Sequence, residues 1–281
     1  MRTMKELLEA AEGAKVSLGE ISLRWQAEKN RESLAAVRAK MGEQLQIMRL
    51  SVQDGCSPEL RSASGRVGGQ ASKMVQADQM SRFGVVSKAC AYAMAVAESN
   101  ACMGKIVAAP TAGSCGILPG ALLAVQEEEH FSEDELVSAL FAAAGIGRVI
   151  ALEATISGAE GGCQAECGAA AAMAAAALTQ LYGGSPRQAC DACSFALMNM
   201  LGLVCDPVCG LVEIPCVYRN VGGVSQAFAA AQLALSGVNC PIPGDEVILT
   251  MKDVGDALPA SLRETGEGGC AGCRSMQMKN P

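Results

Sequence analysis

Cys163-Gln-Ala-Glu-Cys-Gly-Ala-Ala-Ala-Ala-Met-Ala-Ala-Ala-Ala-Leu-Thr-Gln-Leu181 is the stretch that decides the fold. Alanine is the strongest helix former, and a helix sheathed in methyl groups lets neighbouring backbones approach closely. The stretch therefore reads as a buried central helix. The rest of the chain agrees with a helical protein: alanine is abundant and aromatics are only 3% of residues, so β-propensity is low almost everywhere. The expected fold is all-α, a compact helical bundle with this alanine-rich helix at its centre and cysteine-bearing loops around it.

Working outward, Ser185 with Gln188 and Pro186 at the first helical position forms a capping box after the central helix, and Ser132 with Glu135 forms another before it, opening a helix to about Ile156. Alanine-rich text predicts a helix over Ser87 to Met103, and further helices are expected at about Ala227 to Ser236 and Glu246 to Leu258. A short apolar run, Ile106 to Ala109, ends at Pro110; the loop Pro110-Thr-Ala-Gly-Ser-Cys-Gly116 follows, with a new helix starting near Leu118. Toward the N-terminus, Leu18 to Leu50 reads as a polar helical arm in which Glu20, Arg24, Glu28 and Arg31 alternate in sign. The Gly/Ser-rich stretch Ser62 to Ser72 reads as a loop. Residues 1–75 are then an N-terminal helical arm and loop, and 76–281 a helical catalytic core, within one continuous domain.

The 281 residues are half apolar and 18% charged, which suits a globular core. A net charge of −7 offers no footprint for phosphate backbones or anionic membranes, so nucleic acid is not an expected partner. No apolar run satisfies a bilayer, the one around Phe141 being broken by Arg148, and the N-terminus lacks the pattern of a secretory signal. A cytoplasmic protein is expected. In that setting the 14 cysteines read as reduced thiols, most of them small buried hydrophobes.

Two regions carry chemistry. Backbone N–H groups at a helix start bind anions, so the loop Pro110 to Gly116 is a candidate carboxylate cradle built on Thr111, Gly113 and Ser114. It lacks the lysine of a phosphate-binding loop, and ordinary turn chemistry would also account for it. The second region is a set of cysteines in patterned peptides. Cys163 follows Gly-Ala-Glu-Gly-Gly, where glycines leave room and a helix start favours a thiolate. Cys205 and Cys216 flank Asp206-Pro-Val-Cys-Gly-Leu-Val-Glu-Ile-Pro215. Three thiolates can hold an iron–sulfur cluster with one iron open to substrate, but the spacing matches no ferredoxin pattern, and Cys167 and Cys209 compete as ligands. A zinc site made by Cys190 and Cys193 with Cys270 and Cys273 is a further alternative.

Three segments together, Ile106-Val-Ala-Ala-Pro-Thr-Ala-Gly-Ser-Cys-Gly-Ile-Leu-Pro-Gly120, Gly158-Ala-Glu-Gly-Gly-Cys-Gln-Ala-Glu-Cys-Gly168 and Leu203-Val-Cys-Asp-Pro-Val-Cys-Gly-Leu-Val-Glu-Ile-Pro-Cys-Val-Tyr-Arg-Asn220, resemble the α subunit of the bacterial two-subunit iron–sulfur L-serine dehydratases. The resemblance spans roughly Ser81 to Glu264. It implies a [4Fe–4S] cluster on Cys163, Cys205 and Cys216, substrate binding by Thr111, Gly113, Ser114 and Asn220, and conversion of L-serine to pyruvate and ammonia without pyridoxal phosphate. It also implies a β subunit that brings the catalytic base, in an oligomeric enzyme. The sole histidine, His130, reads as a solvated helix end, and Lys105 is the substitute base this chain offers. The tail departs from the family at Cys270-Ala-Gly-Cys273; fused relatives place a terminal cysteine on the open iron. Two other readings stand beside this one: a related L-cysteine desulfidase and a non-catalytic metal-binding scaffold.

Overall fold

The computed structural model describes residues 1–77 and 80–277. Among them are thirteen α-helices and no β-strand, so the all-α expectation holds. The alanine-rich helix, α9 (Ala169–Leu181), has every residue from Ala169 to Thr179 buried, and it is surrounded by α6 (Ile117–Glu129), α7 (Glu133–Glu153), α10 (Pro186–Met200) and α11 (Cys216–Leu235). A helix apolar on all sides is stable only when enclosed in this way. Both capping boxes form, at Ser132 with Glu135 and at Ser185 with Gln188.

A second buried helix, α5 (Val85–Ala101), lies across α6 and α11. Gly120 makes the α5–α6 approach possible: a Cβ there would sit 2.8 Å from Ala93 N and 2.9 Å from Ala89 O. By length and composition α7 could cross a membrane, yet its buried residues pack within the fold against α9 and α2 (Leu18–Asn30).

The N-terminal region differs from the single polar arm expected of it. It forms α1 (Met4–Ala14), α2 and α3 (Leu34–Gly55), capped by Thr3, Ser17 and Ser33, whose hydroxyls accept from Glu6 N, Glu20 N and Ala36 N. Arg31 enters the left-handed region (φ 56°) and ends α2. Leu7, Leu18, Leu23 and Leu45 are buried in the same hydrophobic cluster as α9, so the charged alternation read there marks only the outer face.

The Gly/Ser-rich loop is shorter than expected, because α4 (Gln70–Gln76) begins inside it. Glu98 of α5, wholly buried, accepts hydrogen bonds at 2.9–3.1 Å from the backbone N–H groups of Gly68, Gln70 and Ala71. A carboxylate from a distant helix thus supplies the cap that the local sequence lacks.

Candidate functional site

Four segments meet at one end of α9. Residues 110–116 run as a loop into α6. The single turn α8 (Gly158–Gly161) leads through Gly162 (φ 74°) to Cys163, which opens a π-helical turn over Gln164–Gly168. Such turns arise where the regular ladder is interrupted, commonly at functional sites. Residues 201–215 follow α10, and α11 starts at Cys216.

The expectation of loop-borne cysteines needs correction. Cys216 is the first residue of α11, with Pro215 at its cap, and Cys163 precedes a helical turn; of the three only Cys205 lies on irregular backbone. The proline-containing text before Cys216 suggests a loop, but proline is equally at home at a helix entry. Consequently α11 begins eleven residues before the expected Ala227.

Backbone bonds fix Cys205 from both sides: its N–H donates to Leu262 O (2.9 Å) and its carbonyl accepts from Glu264 N (2.7 Å), a parallel bridge centred on Arg263. Arg219, one turn into α11 from Cys216, donates to Val204 O at 2.7 Å and pairs with Asp206 Oδ1 at 2.6 Å. The residues flanking Cys205 are therefore tied to the helix that carries Cys216. Burial pushes the Asp206 carboxyl up, but the Cys270 amide and Arg219 outweigh it and hold the group below the usual range. Gln164 completes the frame, its Nε2 donating to Met251 O and its Oε1 accepting from Gly202 N, both at 2.9 Å.

Cys163, Cys205 and Cys216 share a neighbourhood in which charge on Cys163 raises the cost of ionising the other two. Burial, then the Cys163 charge, pushes the Cys205 thiol up; burial, again with Cys163, takes Cys216 up to about 12. Cys163 is the lowest of the set. Its sulfur lies 3.3 Å from that of Cys167, whose hydrogen bond favours the Cys163 thiolate, with Arg219 adding positive charge; Cys167 is pushed well above its ordinary value.

Glu166 was missed by sequence reasoning. It is half-buried against the loop: Thr111 Oγ1 donates to its Oε1 at 2.7 Å, and the Cys205 sulfur lies 3.9 Å from Oε2. Burial raises its carboxyl above the ordinary value. Its position three residues after Cys163, on one face of a helical turn, was the signal available. Two glycines make room beside it: a Cβ on Gly113 would meet Glu166 Oε1 at 3.2 Å, and one on Gly158 would meet Glu166 Oε2 at 2.6 Å and Cys205 Sγ at 3.0 Å.

Of the expected substrate residues, Thr111 and Ser114 lie together with hydroxyls 3.1 Å apart, and Gly113 faces Glu166. Asn220 is wholly buried and spends its amide on backbone, accepting from Gly116 N (2.8 Å) and donating to Gly113 O (2.8 Å) and Cys216 O (2.9 Å). It fastens the loop to α11. Lys105 is exposed between α5 and the loop, and His130 is exposed at the end of α6. Among the competing thiols, Cys167 is beside Cys163, whereas Cys209 is exposed with its sulfur 3.2 Å from Arg66 Nη1. Cys190 and Cys193 are buried in α10, and Cys270 lies by Asp206.

Among the described residues no three His, Cys, Asp or Glu side chains are gathered about one point as a single ion requires. A multi-iron cluster spreads its thiolates more widely. Three neighbouring thiols, and the half-buried Arg219 guanidinium to offset thiolate charge, fit such a group in donor chemistry.

A helical core, a cluster of thiols and an anion-suited loop define the class, and sequence comparison places it: the chain belongs to the serine dehydratase alpha chain family, whose model matches residues 13–271. It is 42% identical over 273 residues to the probable L-serine dehydratase alpha chain of Bacillus subtilis (strain 168), covering 96% of this chain and 91% of that protein. It is 52% identical over 192 residues to the L-serine dehydratase alpha chain of Peptoniphilus asaccharolyticus, covering 68% and 66%. L-serine dehydratase 1 of Escherichia coli (strain K12) is 43% identical over 203 residues, 70% of this chain but only 44% of that longer protein.

Proposed function

We propose that this chain is the cluster-bearing α subunit of an L-serine dehydratase, which converts L-serine to pyruvate and ammonia together with a β subunit. The observation that carries the reading is the grouping of Cys163, Cys205 and Cys216 around the Thr111–Glu166 pair. Held by those three cysteines, a [4Fe–4S] cluster would supply an open iron as Lewis acid for the departing hydroxyl.

The chain's own residues bind and orient. The N–H groups where the loop turns into α6, with the Ser114 hydroxyl beside Thr111, receive the substrate carboxylate. Asn220 keeps that loop at a fixed distance from Cys216, so the carboxylate site and the thiols cannot drift apart. Glu166 accepts from Thr111 and so directs its hydroxyl. Abstraction of the Cα proton falls to the β subunit, since His130 is solvent-exposed at the far end of α6 from the loop. Loss of the proton and hydroxide leaves aminoacrylate and water; tautomerisation to an imine and hydrolysis give pyruvate and ammonia, with no pyridoxal phosphate.

The test is pyruvate release from L-serine by anaerobically reconstituted protein, with and without the β subunit, comparing the wild type with Cys205→Ala. Activity that needs iron, the partner and Cys205 supports the reading. A fully loaded protein that, with its partner, leaves serine untouched but releases sulfide from L-cysteine would replace it with the desulfidase reading.

A further inference from the structure

Away from the thiols, α2, α3 and α7 border a half-open cavity of about 270 Å³, with the lining residues Asn30, Lys40 and Ala144 exposed, close to the lower end of the ~300–1,000 Å³ typical of small-molecule sites. Its walls are apolar, with Leu7, Trp25, Val37, Met41, Phe141 and Val149 prominent among them. Polar side chains interrupt that surface at Ser22, Gln26, Asn30, Lys40, Gln44 and Arg148, and two of them, Ser22 and Arg148, lack a full set of partners. Ser22 is only 7% exposed, and its Oγ has no hydrogen-bond partner among the described residues. An orphaned buried hydroxyl costs about 1–3 kcal/mol. Gly145 of α7 packs directly over it, since a Cβ there would lie 2.3 Å from Ser22 Oγ.

The second group is Arg148. Its guanidinium lies over the Trp25 ring, 3.8 Å from the centroid, and one nitrogen donates to Met1 O. No carboxylate among the described residues lies within ion-pair distance of it. A guanidinium offers five N–H donors, so most remain for a ligand. The other charged side chain of the lining is Lys40, also a cation, and no aspartate or glutamate lines the cavity. Lys40 is already paired with Glu32 at 2.6 Å, which leaves Arg148 as the unneutralised charge.

We propose that this cavity is a binding site for a small monocarboxylate with an apolar body, the carboxylate meeting Arg148 and the body lying against Trp25, Phe141 and Val37. The site is separate from the cluster of thiols and does not depend on the function proposed above. A cation is disfavoured by Arg148, and a neutral apolar molecule would leave that guanidinium without a counter-charge.

Trp25 is the chain's single tryptophan, so its emission reports the cavity directly. Hexanoate, hexan-1-ol and hexylamine are titrated into the full chain, following Trp25 fluorescence and the melting temperature. Hexanoate is expected to saturate and raise the melting temperature, and hexylamine to do neither. Replacing Arg148 in the variant Arg148→Gln should weaken hexanoate roughly tenfold or more, the loss expected for one charge-assisted contact. A cavity-filling variant, Ala144→Phe, should abolish the response while leaving far-UV circular dichroism unchanged. The proposal is overturned if hexan-1-ol binds as tightly as hexanoate, if Ala144→Phe binds like the wild type, or if no probe saturates at millimolar concentration.

Discussion

Gly158 faces Cys205 so closely that a Cβ on the glycine would stand 3.0 Å from the cysteine sulfur. Closer still, at 2.6 Å, would be Glu166 Oε2. The bare glycine is what lets a thiol and a carboxyl occupy adjacent positions.

Gly158→Ala should therefore damage the site more than the fold. Crowding of this kind costs about 1–3 kcal/mol, and here it falls on Cys205 and Glu166. Iron and acid-labile sulfide per chain should drop sharply after reconstitution. Gly222→Ala, in open space on α11, is the control and should load normally. Equal loading of the two variants would refute the steric role.

Arg219 joins the Cys205 segment to α11, and Asp206 is 3% exposed. Arg219→Met leaves that carboxylate buried without its cation, which should cost about 3–5 kcal/mol. Arg219→Lys, keeping charge but losing the two-pronged geometry, should fall between. Urea denaturation of the cluster-free protein measures both; a loss under about 1 kcal/mol in the Met variant would contradict the arrangement.

Glu98 caps α4 from another helix. Glu98→Ala strands three backbone N–H groups and should cost about 3 kcal/mol or more, while Glu98→Gln keeps one acceptor and should cost less. Hydrogen exchange should quicken first at Gly68, Gln70 and Ala71. Unchanged protection there in the alanine variant would count against the cap.

The Ser132–Glu135 box predicts a pH dependence. Hydrogen bonds from the Ser132 side chain, then from its backbone, hold the exposed Glu135 carboxyl below its ordinary value. A depressed carboxyl contributes stability that is present above the unfolded value, about 4.3, and is lost as pH falls through the folded one. The wild type should exceed Glu135→Gln at pH 7, and the gap should close on acidification below about pH 5. A gap that persists at pH 2.5 would show that packing, not charge, separates the two.

What was legible in the sequence was whatever depends on neighbours in the chain. The alanines of α9, the two capping boxes and the turn chemistry of residues 110–116 are local signals, and each appears where expected. Contacts between remote segments were not legible. Nothing near Glu98 says that it will cap a helix almost thirty residues earlier, and nothing near Asn220 says that its amide will be spent on Gly113 and Gly116. The split of the N-terminal arm at Arg31 was hidden because a left-handed arginine has no compositional signature. Cys216 was misread as loop-borne because proline marks both loops and helix entries.

Cys205 takes both of its backbone partners from residues 262 and 264, near the far end of the chain. During synthesis those two bonds cannot form until residue 264 has been made, while α5, α6 and α9 can already pack. A chain cut short before residue 262 would carry all three thiols yet hold Cys205 from the α11 side alone.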